Sequence, residues 1–195
     1  MEYSFLILDS LTQLKKDYKE IIEIFAEYNL FRIESFLQFK PDLAQEIYGE
    51  NIEDLLQIFR HSIQSKEAYN GFFEYVESRL QDYFKYFCIH QGNIPIAQAM
   101  IQKYTETIVI LHWVYVRPEF RGNHFGDILL DKIIKTAKKD GFSKMYLETI
   151  PTLTTALKLY EKFGFVYRDY YPTTYLTPER AEKMEAIFME YDIKP

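Results

Sequence analysis

The sequence predicts an α/β fold, a mixed twisted sheet of about six or seven strands with helices on both faces, and three observations carry that expectation. Near residue 85 the texture changes from helical spacing to strand alternation. Beyond it, apolar runs alternate with amphipathic stretches that stop at Gly141 and Gly164. Between them, Val116–Gly126 runs from an apolar strand through a short Arg/Gly turn into a helix, a layout suited to binding an anion.

From Leu11 to about Tyr86 apolar residues recur at three- and four-residue spacing, as in Leu14, Tyr18, Ile21, Ile22 and Phe25 and again in Leu55, Ile58 and Phe59. That spacing is the mark of amphipathic helices. Lys40-Pro41-Asp42 and Tyr48-Gly49-Glu50-Asn51 interrupt it, so several short helices are expected. Tyr86–His90 and Ile94–Ile101 flank Gln91-Gly92-Asn93 and read as a hairpin. Thr107–Val116 is the longest strand. A helix over Phe125–Lys139, a strand over Lys144–Thr149 and a helix over Thr155–Phe163 follow. Strands Phe165–Tyr171 and Ala186–Ile193 complete the sheet, and Pro172–Lys183 between them forms a loop with a short helix. No internal repeat, low-complexity tract or flexible linker interrupts the chain.

With 195 residues and 48% hydrophobic content, the chain can bury a real core, and one domain spanning 1–195 is expected. A net charge of −6 argues against a nucleic-acid partner, because phosphate backbones demand a basic surface. Cys88 is the sole cysteine, which excludes an intrachain disulfide and fits a reducing cytoplasm. The opening apolar run, Phe5-Leu6-Ile7-Leu8, is far too short to span a bilayer and has no basic segment before it. Neither a signal peptide nor a membrane partner is expected.

In the Arg/Gly turn, backbone N–H groups and the first N–H groups of the helix converge, and the helix dipole adds partial positive charge. A pyrophosphate suits that spot. Gly122 lets the chain turn sharply and approach a ligand without a Cβ. Gly126 shares a helical face with Leu129, Leu130, Ile133 and Ala137, so its missing side chain lets the first turn sit close to the sheet or a phosphate. Arg121 is a natural fork for phosphate oxygens. The same pattern also occurs in strand-to-helix turns that bind nothing.

The segment Val114-Tyr115-Val116-Arg117-Pro118-Glu119-Phe120-Arg121-Gly122-Asn123-His124-Phe125-Gly126-Asp127-Ile128-Leu129-Leu130 resembles the acetyl-CoA-binding motif of the GNAT acetyltransferase superfamily. Downstream, Ala156-Leu157-Lys158-Leu159-Tyr160-Glu161-Lys162-Phe163-Gly164-Phe165 is similar to that superfamily's second signature. Both motifs stand in the right order and separation, within a resemblance covering roughly Phe87 to Ile193. The resemblance implies a mostly antiparallel sheet splayed at its fourth and fifth strands. Residues 86–195 would form the acetyl-CoA-binding core, and 1–85 an N-terminal strand plus a helical acceptor-side region. One position departs from the motif: His124 stands where the family usually has its central glycine. Because the first turn of a helix uses ordinary right-handed dihedrals, a Cβ there is expected to be tolerated, with His124 directed to solvent at the loop edge or donating to a phosphate.

The resemblance further implies an N-acetyltransferase that moves an acetyl group from acetyl-CoA to a small-molecule or peptide amine by direct attack in a ternary complex. Backbone groups of Val114, Tyr115 and Val116 would pair with the pantetheine arm. The segment Arg121, Gly122, Asn123, His124, Phe125, Gly126 and Asp127 would hold the pyrophosphate. Tyr160 matches the family tyrosine that protonates the departing thiolate, and an ordinary tyrosine keeps its proton at neutral pH. It also lies on an apolar helical face with Ala156, Leu159 and Phe163, as a core tyrosine would.

Many members carry a glutamate base on the fourth strand, where this chain has Ile110. His112 lies two residues on and, by strand alternation, shares a face with Ile110, Val114 and Val116. Glu148 and Glu106 are rivals for the base, and ordered water is a further route. Direct attack needs no covalent acyl-enzyme, so Cys88 reads as a small hydrophobe. The alternative class is an inactive acyl-CoA-binding sensor or partner-binding module. His61 and His90 show no metal-ligand spacing. The aromatic group Tyr69, Phe72, Phe73, Tyr75, Tyr83, Phe84, Tyr86 and Phe87 reads as core and acceptor-pocket wall at helical spacing. A monomer and a homodimer are equally compatible with the sequence.

Overall fold

The computed structural model describes residues 2–16, 18–48, 52, 54, 56–57, 83–173 and 176–194. The helical pattern at Leu55, Ile58 and Phe59, His61, and the aromatic residues Tyr69, Phe72, Phe73 and Tyr75 lie outside the described residues. In order, the elements are β1 (Ser4–Leu8), α1 (Leu11–Lys16), α2 (Tyr18–Phe39), α3 (Pro41–Tyr48), β2 (Phe84–Gln91), β3 (Ile94–Lys103) and β4 (Ile108–Val116). A single 3-10 turn (Pro118–Phe120) leads into α4 (Phe125–Lys139), followed by β5 (Lys144–Thr149), α5 (Thr154–Phe163), β6 (Val166–Arg168), α6 (Pro178–Lys183) and β7 (Ile187–Asp192).

The strands form one seven-stranded sheet in the order β1-β2-β3-β4-β5-β7-β6. All neighbours are antiparallel except β4 and β5. Alternation along each strand sends side chains to two apolar layers. On one face Phe87, Ile89, Ala97 and Leu111 pack with Leu129, Leu130 and Ile133 of α4 and Tyr160 of α5. On the other, Tyr86, Cys88 and Met100 pack against Leu14, Ile21 and Phe25. Each large apolar side chain so buried contributes about 1.5–3 kcal/mol. Cys88 is fully buried in this second layer, as a small hydrophobe would be.

The hairpin forms with Gln91 opposite Ile94, as its turn residues predict. Two expectations need correction. Tyr83, Phe84, Tyr86 and Phe87 are not at helical spacing on a helix: Phe84–Phe87 open β2, and alternation sends Phe84 and Tyr86 to the α2 face and Phe87 to the α4 face. The strand expected over Phe165–Tyr171 shrinks to Val166–Arg168, because only those residues find partners on β7. Tyr83 instead ties strand to helix, donating from its hydroxyl to Asp140 at 2.6 Å while Lys85 pairs with the same carboxylate at 2.7 Å.

Two features of β4 shape the site. Its parallel ladder with β5 covers only Ile108–Ile110 against Lys144–Tyr146, after which the two strands part. Against β3, Met100 faces His112 but Gln98 faces Tyr115, so β4 carries an extra residue there. That residue region contains Trp113, held at φ 57°. A tryptophan in the left-handed region is strained by about 1–2 kcal/mol and persists only where packing fixes it. Here the Trp113 ring meets Phe25 of α2 edge-on at 4.9 Å. The bulge also overturns the predicted alternation: Val114 and Val116 pack toward α4, whereas Ile110 belongs to the layer on the opposite face, as does Tyr146. His112, two residues from Ile110 and before the bulge, therefore does not share a face with Val114 and Val116.

Candidate active site

The turn after β4 is built on an ion pair between a buried arginine and a half-buried glutamate. Arg117, 7% exposed, donates through Nε to Glu27 at 2.9 Å and lies 2.8 Å from the other Glu27 oxygen through a terminal nitrogen, with Glu23 at 3.5 Å. This fork locks α2 to the end of β4. Burial pushes the Glu27 carboxyl above its ordinary value while Arg117 pulls against that. Neither residue stands out in the sequence, because the pairing partner lies 90 positions away.

Beyond Arg117 the chain turns through Gly122 at φ 80° and His124 at φ 62° before α4 begins. His124 thus adopts left-handed dihedrals, not the right-handed ones expected of a first helical turn, because it stands just before the helix as its cap. This explains a glycine preference at the position, and it puts strain on a residue with a Cβ. The His124 side chain is 79% exposed, as expected of a loop edge, with Nδ1 3.4 Å from Asp127. Asp127 also pairs with Lys162 of α5, and that hydrogen bond holds its carboxyl below the usual range.

Among the described residues, the N–H groups of Gly122, Asn123, His124, Phe125, Gly126 and Asp127 meet no acceptor, since the first turn's hydrogen bonds begin with Ile128 donating to His124. These six N–H groups span the turn and the first residues of a 15-residue helix, where N–H groups ordinarily lack intrahelical acceptors. Arg121 is turned back in this structure. Its Nε donates to the Val116 carbonyl at 3.0 Å and its guanidinium lies over Phe31 and Tyr115 at 4.9 and 5.7 Å. Phe125 is buried in the core beneath the turn, and Asn123 hydrogen-bonds the carbonyls of Phe120 and Arg121, bracing the loop from within. A Cβ on Gly126 would lie 3.1 Å from Leu159 Cδ2, so its close neighbour is α5, not the sheet.

Where β4 and β5 separate, a cavity of about 340 Å³ opens, and His112, Val114, Glu148 and Tyr160 line it together with Tyr28 and Trp113. Tyr160 is 6% exposed, and burial, with the charges of Tyr28 and Glu148 adding, raises its pKa far above the ordinary tyrosine value. It holds its proton throughout the physiological range. His112 Nδ1 lies 3.6 Å from Glu148 Oε1, longer than a hydrogen bond but close enough to pair with a protonated imidazole. Glu148 Oε2 accepts from the Tyr171 hydroxyl at 2.6 Å. Burial, then the Glu148 charge, raises Tyr171 strongly, so it too remains a donor. Arg168, stacked 3.9 Å above Tyr146 and 5.2 Å from Tyr171, and paired with Glu190, holds this aromatic wall in place.

The structure therefore brings Tyr160, His112 and Glu148 to one cavity, and leaves Glu106 away from it, paired with Lys103 at 2.5 Å. Tyr115 stays on the rim of the turn, where burial, then Glu27, pushes its pKa up to about 12. Sequence reasoning missed Tyr28, Trp113 and Tyr171, which reach the site from α2, the bulge and the segment after β6. Only Tyr171 carried a signal, as the end of a predicted strand.

The sequence model of the acetyltransferase (GNAT) family matches residues 49–165. An uncharacterized N-acetyltransferase of Dictyostelium discoideum is 41% identical over 58 residues, 30% of this chain and 27% of that protein. The ribosomal protein bS18 alanine N-acetyltransferase of Escherichia coli is 34% identical over 65 residues, 31% of this chain and 44% of that protein. The matched segments thus span less than half the length of these relatives. A PaiA N-acetyltransferase from Thermoplasma acidophilum, solved in complex with coenzyme A, superposes with a TM-score of 0.55 at 18% identity, covering 97% of this chain and 98% of its own. Among the described residues no helix is long and apolar enough to cross a membrane, and no group of three or more metal-ligating side chains occurs.

Proposed function

The chain belongs to the GNAT acetyltransferase family, and we propose that it transfers an acetyl group from acetyl-CoA to the amine of an acceptor held in the cavity between β4 and β5. The observation that carries this reading is the joint placement of a donor-lined turn at the start of α4 and a proton-handling cluster at the strand splay. Acetyl-CoA, when bound, supplies the thioester carbonyl that the amine attacks and the thiolate that leaves.

On this reading the unpaired amides from Gly122 to Asp127 hold the pyrophosphate, and Arg121 swings out from Val116 to reach a phosphate oxygen. The backbone of Val114, Tyr115 and Val116, beyond the short β4–β5 ladder, offers strand-like partners to the pantetheine amides. His112 and Glu148, 3.6 Å apart, act as one unit that accepts the amine proton. Tyr171 steadies the Glu148 carboxylate, and Tyr160, protonated and buried, donates to the sulfur as it departs. Residues 86–195 then form the cofactor core and residues 1–85 the acceptor side of one domain.

The test is release of free CoA thiol when the protein meets acetyl-CoA and a panel of amines. Amine-dependent thiol release, with the acetylated amine identified by mass, is the expected result. Tight acetyl-CoA binding without release from any amine would instead favour a sensor.

A further inference from the structure

We infer that Gln98 is a positioning residue for the bulge of β4: through one bound water its buried amide holds the peptide groups that turn Trp113 toward the cavity and Val114 toward the cofactor. The effect on cofactor binding rests on the acetyl-transfer reading of the site, whereas the hold on the bulge does not.

Gln98 lies in the middle of β3 and is fully buried. Alternation sends its neighbours Ala97 and Ala99 to the α4 face, so Gln98 points with Met100 to the face that α2 covers. The layer there is apolar, built from Tyr86, Met100, Ile21 and Phe25, with Trp113 packed against it. A methionine would fill the same length without an amide to desolvate. A polar group in that place is a cost that packing alone does not require.

The amide is half satisfied. Its oxygen accepts a hydrogen bond from the Tyr86 hydroxyl at 2.5 Å, while Nε2 meets no acceptor among the described residues. Exchanging oxygen and nitrogen changes only which end lacks a partner. The direction of the orphaned end follows from strand order. β3 lies between β2 and β4, and Tyr86 stands on β2. With one end of the planar amide committed to the β2 side, the other points away from β2, toward β4. Opposite Gln98 on that side is Tyr115, and next to it Trp113 and Val114 together stand against the single Ala99.

A bulge of this kind turns peptide groups out of the ladder, and each carbonyl has two lone pairs to offer. Trp113 sits there at φ 57°, a conformation that persists only where its surroundings fix it. A water that accepts from Gln98 Nε2 and donates to carbonyls of the bulge completes the amide and pins the irregular backbone together. The consequence for function is geometric. Val114 is the first of the residues whose backbone meets the pantetheine arm on the acetyl-transfer reading, and a misplacement of about 1 Å in such a site costs up to about a hundredfold.

The test crosses stability with cofactor affinity in two variants. Tyr86→Phe withdraws the hydroxyl from Gln98 but leaves Nε2 its water, so the thermal midpoint is expected to fall while acetyl-CoA affinity stays within about threefold of the parent. The double variant Tyr86→Phe, Gln98→Met replaces both polar groups by apolar ones of similar shape. It should melt at or above the Tyr86→Phe variant, yet bind acetyl-CoA at least about tenfold more weakly in calorimetry. Trp113 is the sole tryptophan, so quenching of its emission by acrylamide reads the bulge without any ligand. Quenching should rise in the double variant and not in Tyr86→Phe. A crystal structure of the parent is expected to show the water bonded to Gln98. Affinity and quenching that merely follow the melting temperature across the two variants, a double variant that keeps both at the parent's values, or a parent structure with no water at Gln98 overturns the inference. A parent that does not bind acetyl-CoA sinks the acetyl-transfer reading instead, and the quenching series then decides the hold on the bulge.

Discussion

The Tyr171 hydroxyl donates to Glu148 at 2.6 Å, so that the carboxylate facing His112 is steadied from its other side by a phenol that cannot ionise in any physiological range. The relationship separates the two roles. Glu148→Gln removes the charge and is expected to lower kcat by about a hundredfold. Tyr171→Phe leaves the charge but withdraws a hydrogen bond from it, so kcat is expected to fall by less than in Glu148→Gln. On the proposed mechanism, His112→Gln combined with Glu148→Gln should cost little more than the worse single variant. Fully additive losses in the double variant would separate them.

Tyr160→Phe removes only a hydroxyl from a packed ring that also contacts Phe165 at 5.7 Å, so folding is expected to survive. With the proposed donor to the leaving sulfur gone, kcat should fall at least about tenfold at unchanged acetyl-CoA affinity. Wild-type turnover in that variant would reassign Tyr160 to the core alone.

His124→Gly should stabilise the fold by about 1 kcal/mol, since glycine occupies φ 62° without a Cβ penalty. Thermal denaturation reads that gain. Equilibrium dialysis against acetyl-CoA reads the other half: an unchanged dissociation constant shows that the His124 ring takes no direct part in holding the cofactor, and a weakened one assigns it a phosphate contact.

Arg117→Met leaves Glu27 half-buried without its cation and is expected to cost about 3 kcal/mol in urea denaturation. Because the pair joins α2 to the turn, acetyl-CoA affinity should fall as well. Glu27→Gln, which keeps a hydrogen-bond acceptor for Arg117, should be milder. Equal costs for the two would mean that the acceptor kept by glutamine does not offset the loss of the charge pair.

The link between β2 and the end of α4 supplies a pH signature. Burial disfavours the Asp140 charge, but hydrogen bonds from Lys85 and Tyr83 outweigh it and hold the carboxyl below the ordinary aspartate value. A depressed folded-state pKa adds stability above the unfolded value of about 3.9 and loses it as pH falls through the folded one. Asp140→Asn is therefore expected to be less stable than the parent by about 1 kcal/mol at neutral pH, with the gap closing below about pH 4. A gap that stays constant down to pH 2 would contradict the ionic origin.

What the sequence by itself determined were the features written in local periodicity and spacing. The helix over Phe125–Lys139 and the strand over Lys144–Thr149 follow from short-range patterning, and the structure reproduces both bounds. The separation of the Arg121–Gly126 turn from Tyr160 and Gly164 made the family legible, because two motifs at fixed distance encode one sheet and the helices that cross it. The tertiary structure decided whatever depends on residues far apart in the chain or on a backbone irregularity. Trp113 at a bulge changed the face onto which Val114 and Val116 point, and no pattern of apolar residues announces an extra residue in a strand. The meeting of His112, Glu148 and Tyr171 and the lock of Arg117 on Glu27 join segments whose order in the chain says nothing of their distance. Sequence sets local conformation, and the closing of long loops by burial of apolar surface sets which charged groups are left facing one another.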